Sequence, residues 1–154
     1  MPKKGWKLPD GDHIMRHIPW SKLRKDENDN VLGFLPQAFQ LRPQENSLSV
    51  NWLEFFDGNH AARTKKTIQE LRKAKHIGQK IAFGIGNVGN IQKICKQNGG
   101  AIKIVYAPTI GISSHTEIRS LPRDDLVVLD ALDTQAFLEC VYNADIEEER
   151  SQNE

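Results

Sequence analysis

The chain has 154 residues, 38% hydrophobic and 27% charged, with a formal net charge of +1. That length suits one domain with a real core. Near neutrality excludes a global field that would recruit nucleic acid or membrane, so any such attraction must be local. No apolar run approaches the roughly 20 residues of a membrane span. The two cysteines, Cys95 and Cys140, form no CxxC, which argues against a disulfide framework and favours a reducing compartment. The opening MPKKGWKLPDGD is basic but has no apolar h-region, so the expected location is the cytoplasm.

Residues 1–11, rich in Lys, Pro and Gly, are expected to form a flexible arm. From His13 to Trp20 the chain alternates. Ile14, Arg16, Ile18 and Trp20 fall on one side, and His13, Met15 and His17 on the other, which with Pro19 predicts a strand. The charged stretch KLRKDENDN reads as a loop, and Val31–Leu35 and Leu48–Trp52 as further strands. Asn59 is an N-cap for a helix to about Lys75. The stretches 80–84 and 101–106 read as strands around a helix at 88–97, a βαβ unit that favours a parallel strand pair. Residues 108–115 read as a loop. The segment 122–142 reads as helical with an interruption near Asp133, and 144–154 as a fraying polar tail. The expected fold is therefore α/β or α+β. It is a single domain over 12–143, with a mixed sheet of about five strands, three to four helices and one βαβ unit at 80–106.

Chemistry concentrates in residues 12–56, where polar groups are interleaved with aromatics; such groups cost free energy when buried unless they are paired. Arg16, Arg42, Asn51 and Glu54 are candidate ligand-binding residues, because arginine binds carboxylate or phosphate in a bidentate fashion. The alternative is an internal pairing of Arg16 or Arg42 with Glu54 or Asp57. His13 and His17 are candidate acid/base residues. Four residues along a strand span roughly 13 Å, too far for a shared metal ion. Gly84, Gly86, Asn87 and Gly89 spell G-x-G-x-x-G between a strand and a helix. Three readings stand for it: a dinucleotide fingerprint, a simpler anion cradle, or a tight turn. The fingerprint lacks its acidic partner, since the next strand ends KIVYAPT. On the 60–75 helix, Arg63, Lys65, Lys66, Arg72 and Lys73 form a basic surface suited to nucleic-acid phosphates or simply to solvent.

The run HIMRHIPWSKLRKDENDNVLGFLPQAFQLRP, with LSVNWLEFF and FGIGNVGNI, resembles a group of small uncharacterised bacterial proteins across most of 12–142. A weaker resemblance is to ADP-ribosyltransferase-like toxins. It would place His13 or Arg16 on an early strand, Ser49 on a serine-bearing strand, and a catalytic glutamate in Glu147-x-Glu149, within the polar tail. Three functions follow as expectations. The first is a non-catalytic binding module for a nucleotide or nucleic-acid phosphate. The second is an enzyme on a nucleotide-type substrate. The third is a protein-interaction subunit of a bacterial assembly, using Trp6, Trp20 or Phe55 as anchors. The sequence leaves the identity of any cofactor unknown.

Overall fold

The computed structural model describes residues 2–148. The alternation at the start becomes strand β1 (His13–Ile18), which Pro19 ends because it has no amide to donate. A small hairpin follows, β2 (Leu23–Lys25) with β3 (Val31–Phe34), so the charged stretch read as loop holds a short strand. Then come β4 (Ser47–Trp52), α1 (His60–Ala74), β5 (Ala82–Asn87), α2 (Val88–Gln97), β6 (Lys103–Tyr106), β7 (His115–Arg119), α3 (Leu126–Ala131) and β8 (Glu139–Tyr142). Each helix opens on a side-chain cap. Asn59 accepts from the Ala62 amide, Asn87 from that of Asn90, and Asp125 from those of Val127 and Val128.

Six strands form the main sheet in the order β6-β7-β4-β1-β5-β8, and every neighbouring pair is antiparallel. The fold is thus α+β. The expected parallel pair at 80–106 is not formed: β5, α2 and β6 follow in order, but β1, β4 and β7 lie between the two strands. Periodicity located both strands, yet it says nothing about which distant strand each will pair with.

The two faces of the sheet differ. Ile14, Ile18, Leu48, Val50 and Ile118 point into the larger core, closed by α2, α3 and the β2–β3 hairpin. On the opposite face, Ile68 and Leu71 of α1 cover Met15, Phe83 and Ile85. The α1 face of β4 and β7 carries polar side chains instead: Ser49, Asn51, His115 and Glu117. One half of that face is therefore polar rather than core.

Three further expectations are corrected. The arm is docked: Gly5 and Leu8 amides donate to Tyr106 and Ile104 carbonyls, and the Tyr106 amide donates to Trp6, so it extends the β6 edge. Leu8 is buried there. Only the first part of 122–142 is helical, passing through a π-helical turn at Leu132–Ala136 into β8, the outer neighbour of β5. Finally, the chain from His115, where the expected loop ends, to Arg119 is a strand inside the sheet, between β6 and β4. Of the expected tail, Asn143–Asp145 forms a turn held by Arg72, and residues 149–154 lie outside the described part.

Candidate functional site

β1 and β4 share only two paired positions, Ile14 with Trp52 and Met15 with Asn51. Beyond Met15 the strands part, although β1 stays paired with β5 and β4 with β7 along their lengths. The side chain of Arg16 fills the opening. Its Nε donates to the Ala38 carbonyl at 3.1 Å and its Nη1 to the Ser49 carbonyl at 2.9 Å. The second bond satisfies a β4 carbonyl that the missing ladder leaves unpaired, and the first ties Arg16 to the 3-10 turn at Pro36–Phe39.

The opening is the wall of a cavity of about 450 Å³ that reaches from the sheet to the C-terminal end of α1. Arg16, Lys22, Arg42 and Lys75 line it with His17, and Glu45 is its one carboxylate. Glu45 is already engaged, accepting from the Arg42 amide at 2.8 Å with Arg42 Nε at 3.8 Å. The volume falls within the range of about 300–1,000 Å³ typical of small-molecule sites. A second hollow of about 620 Å³, lined by Lys22, Arg42 and Arg123 and by the carboxylate of Asp124, which accepts from Gln40, adjoins it through the two shared cations.

Burial and mutual repulsion act on these groups together. Burial lowers the Arg16 pKa to about 10, with Arg42 adding to the fall and Glu45 opposing it. Lys22 and Lys75 are each pushed below the usual lysine value, first by desolvation and then by Arg16 and Arg42. His17 is lowered to about 4, by burial first and then by Lys75 and Arg16, and is neutral at pH 7. Its Nε2 is buried without a hydrogen-bond partner among the described residues. The four cations thus disfavour one another's charge in a cavity they share with His17.

On the floor, Ser49 Oγ lies 3.1 Å from His115 Nε2, and His115 Nδ1 lies 2.7 Å from the Ala107 carbonyl. Asn51 pairs with His115 across the β4–β7 ladder, which makes Ser49 its diagonal neighbour. Asn51 is buried and donates to Ser114 Oγ, which in turn donates to Glu70 of α1. This chain fixes the loop before β7 against the helix.

The sequence candidates divide. Arg16, His17, Arg42 and Asn51 meet in the cavity. His13 and Glu54 do not: Glu54 accepts from the His13 amide at 2.7 Å and sits 2.8 Å from its Nδ1, at the other end of β1. There His13 stacks edge-on against His60, which reaches Glu139 at 2.7 Å. Arg16 and Arg42 thus pair with neither Glu54 nor Asp57.

The glycine motif is spent on packing. A Cβ on Gly86 would stand 2.6 Å from the Ala136 carbonyl, and one on Gly84 3.0 Å from the Phe34 ring. At the start of α2 the amides of Val88 and Gly89 donate to Asp12 and Asp10, and Asn87 caps Asn90. These turn amides serve the chain itself, in place of an anion cradle.

On α1, Arg63 donates to the Phe56 carbonyl and Lys66 to that of Asp57, while Arg72 binds Asn143, Ile146 and Glu147. Lys65 and Lys73 are exposed. Trp6 is half-exposed but packs on Trp52, and Phe55 is half-buried against Trp52 and Tyr106. Trp20 is half-buried, with the ammonium groups of Lys25 and Lys80 over its ring. Glu149 of the E-x-E pair lies outside the described residues.

Sequence reasoning missed Lys22, Lys75 and His115 as site residues. They come from a loop, a helix end and an unforeseen strand, and no spacing links them. Comparison with known proteins found no matching family model, no matching curated protein and no matching solved structure.

Proposed function

We propose that the chain binds a phosphate-bearing anion of nucleotide size in the cavity between β1 and β4. The observation that carries this is the convergence of Arg16, Lys22, Arg42 and Lys75 on one cavity in which Glu45 is the only carboxylate. A bound anion relieves the repulsion among the four cations and gives the buried His17 Nε2 an acceptor, or a proton to share. The adjoining hollow lets a ligand longer than a single phosphate extend along Lys22 and Arg42 toward Arg123. Nucleotides fit this size and charge.

Calorimetric titration with ADP and with inorganic pyrophosphate tests the reading. Binding should weaken as salt rises, because exposed charges are screened. It should also weaken at least tenfold when Lys22 and Lys75 are both changed to Gln, a loss of about 1.4 kcal/mol. Absence of binding by the unaltered chain at low salt would refute the proposal.

A further inference from the structure

Ser49 and His115 stand in a relation that anion binding alone does not require. The Ala107 carbonyl can only accept, so His115 Nδ1 carries the hydrogen of the neutral ring and Nε2 is the acceptor. The hydrogen bond at 3.1 Å then runs from Ser49 Oγ–H to Nε2. A hydroxyl with a base in reach, and a base oriented by a third group, is the arrangement that activates a serine nucleophile.

Ser49 is also held firmly while remaining open to the cavity. Its strand pairs with β7 at Glu117, its own carbonyl is fixed by Arg16, and the residue is exposed. Arg16 and Lys75 line the same cavity, which matches the charge spread over phosphoryl oxygens during transfer, and the one carboxylate opposite Ser49 on the ladder, Glu117, is engaged by Arg119 Nε at 3.1 Å.

We propose that the cavity transfers a phosphoryl group from a phosphomonoester to Ser49, with His115 as the base; this rests on the anion-binding reading above. The Ser49 Oγ–P bond forms as the bond from phosphorus to the leaving oxygen breaks. His115 Nε2 takes the Oγ proton and delivers it to the departing alkoxide, which leaves as an alcohol. Water then attacks the phosphoserine. His115 removes its proton and returns it to Oγ, and inorganic phosphate leaves. Arg16 and Lys75 stabilise the charge on the non-bridging oxygens.

The test uses the full chain with para-nitrophenyl phosphate, following nitrophenolate release, and maps phosphoserine by peptide mass spectrometry. Inorganic phosphate binding is measured in parallel on the same samples. Ser49→Ala and His115→Gln should each lower turnover by about a hundredfold or more, with phosphate affinity changed less than about threefold. Phosphoserine at position 49 in the unaltered chain would support the assignment. Turnover undiminished in Ser49→Ala, or none in an unaltered chain that binds phosphate, would overturn the transfer proposal and leave the binding reading intact. Failure to bind phosphate at all would overturn both.

Discussion

The guanidinium of Arg16 donates to the carbonyl of Ser49 at 2.9 Å, across the gap where β1 and β4 cease to pair. One side chain therefore does two things. It supplies β4 with a donor that the splayed β1 backbone cannot, and it places a desolvated positive charge in the wall of a cavity. Opening the sheet and charging the opening are the same structural event.

Arg16→Met should consequently reduce stability, because it leaves the carbonyls of Ser49 and Ala38 without their donor. The expected loss is ~1–2 kcal/mol, because the Ser49 carbonyl is reached by water and only the part-buried Ala38 carbonyl is left short of a partner. Arg16→Lys keeps the charge but cannot fork to both carbonyls, so its loss should be about half of that. Urea unfolding of the three proteins checks the order.

His17 sets a pH dependence. Its folded pKa of about 4 lies below its ordinary value of 6.5, so between these pH values the unfolded chain holds a proton that the folded chain does not. Its stabilising contribution is then fully present above pH 6.5 and declines as the pH falls toward 4. Water reaches part of the ring, so the loss is discounted to about 1–2 kcal/mol. His17→Gln should flatten the midpoint-versus-pH curve of thermal unfolding in that window. A bound anion favours the charged ring, so affinity should rise as pH falls through the same range.

Gly86→Ala discriminates packing from phosphate binding at the glycine motif. The new methyl would meet a backbone oxygen at 2.6 Å and the Ile91 side chain at 2.9 Å, neither with room to retreat. Destabilisation of ~1–3 kcal/mol is expected, as for other overpacked cores. Anion affinity should not change at temperatures where the variant is folded. Denaturation and ADP titration of one preparation give both numbers.

Arg72 of α1 is a structural tie, although it sits among basic residues suited to a nucleic-acid surface. It donates to Asn143 Oδ1 and to the carbonyls of Asn143, Ile146 and Glu147. Arg72→Ala should cost ~2–3 kcal/mol, counting hydrogen bonds to a charged group. Lys65→Ala, on the exposed side of the same helix, should stay within about 0.5 kcal/mol. Chemical denaturation separates them.

What could be read from the chain follows from how local each signal is. The alternation from His13 to Ile18, the Asn59 cap and the apolar stripe of Val88, Ile91 and Cys95 are contained within single elements, and all three elements form where expected. Strand partners are not local. The βαβ pattern over 80–106 located β5 and β6, but three strands that fold between them decide the topology. β8 reads as helix because Leu132, Ala136 and Cys140 sit at helical spacing; the π-helical turn at Leu132–Ala136 breaks that register before the strand begins.

The site was half legible for the same reason. Arg16, His17, Arg42 and Asn51 stand out as polar residues among apolar neighbours, and the fold gathers them. Lys22 and Lys75 look like ordinary surface lysines in sequence, and Lys75 stays exposed, but both line the cavity that opens where β1 parts from β4. The G-x-G-x-x-G motif misleads in the opposite direction: its glycines answer steric demands from Ala136, Phe34 and Asp10, which are remote in the chain.

The central claim, that the β1–β4 cavity binds a phosphate-bearing anion, is tested most directly by following the histidine ring resonances by NMR during titration with ADP. His17 and His115 line the cavity, whereas His13 and His60 form a separate pair with Glu54 and Glu139 and serve as internal controls. Binding in the cavity should give saturable shifts of His17 and His115, reversed by salt, with His13 and His60 unmoved. No shift at His17 and His115, or equal shifts at all four rings, would contradict it.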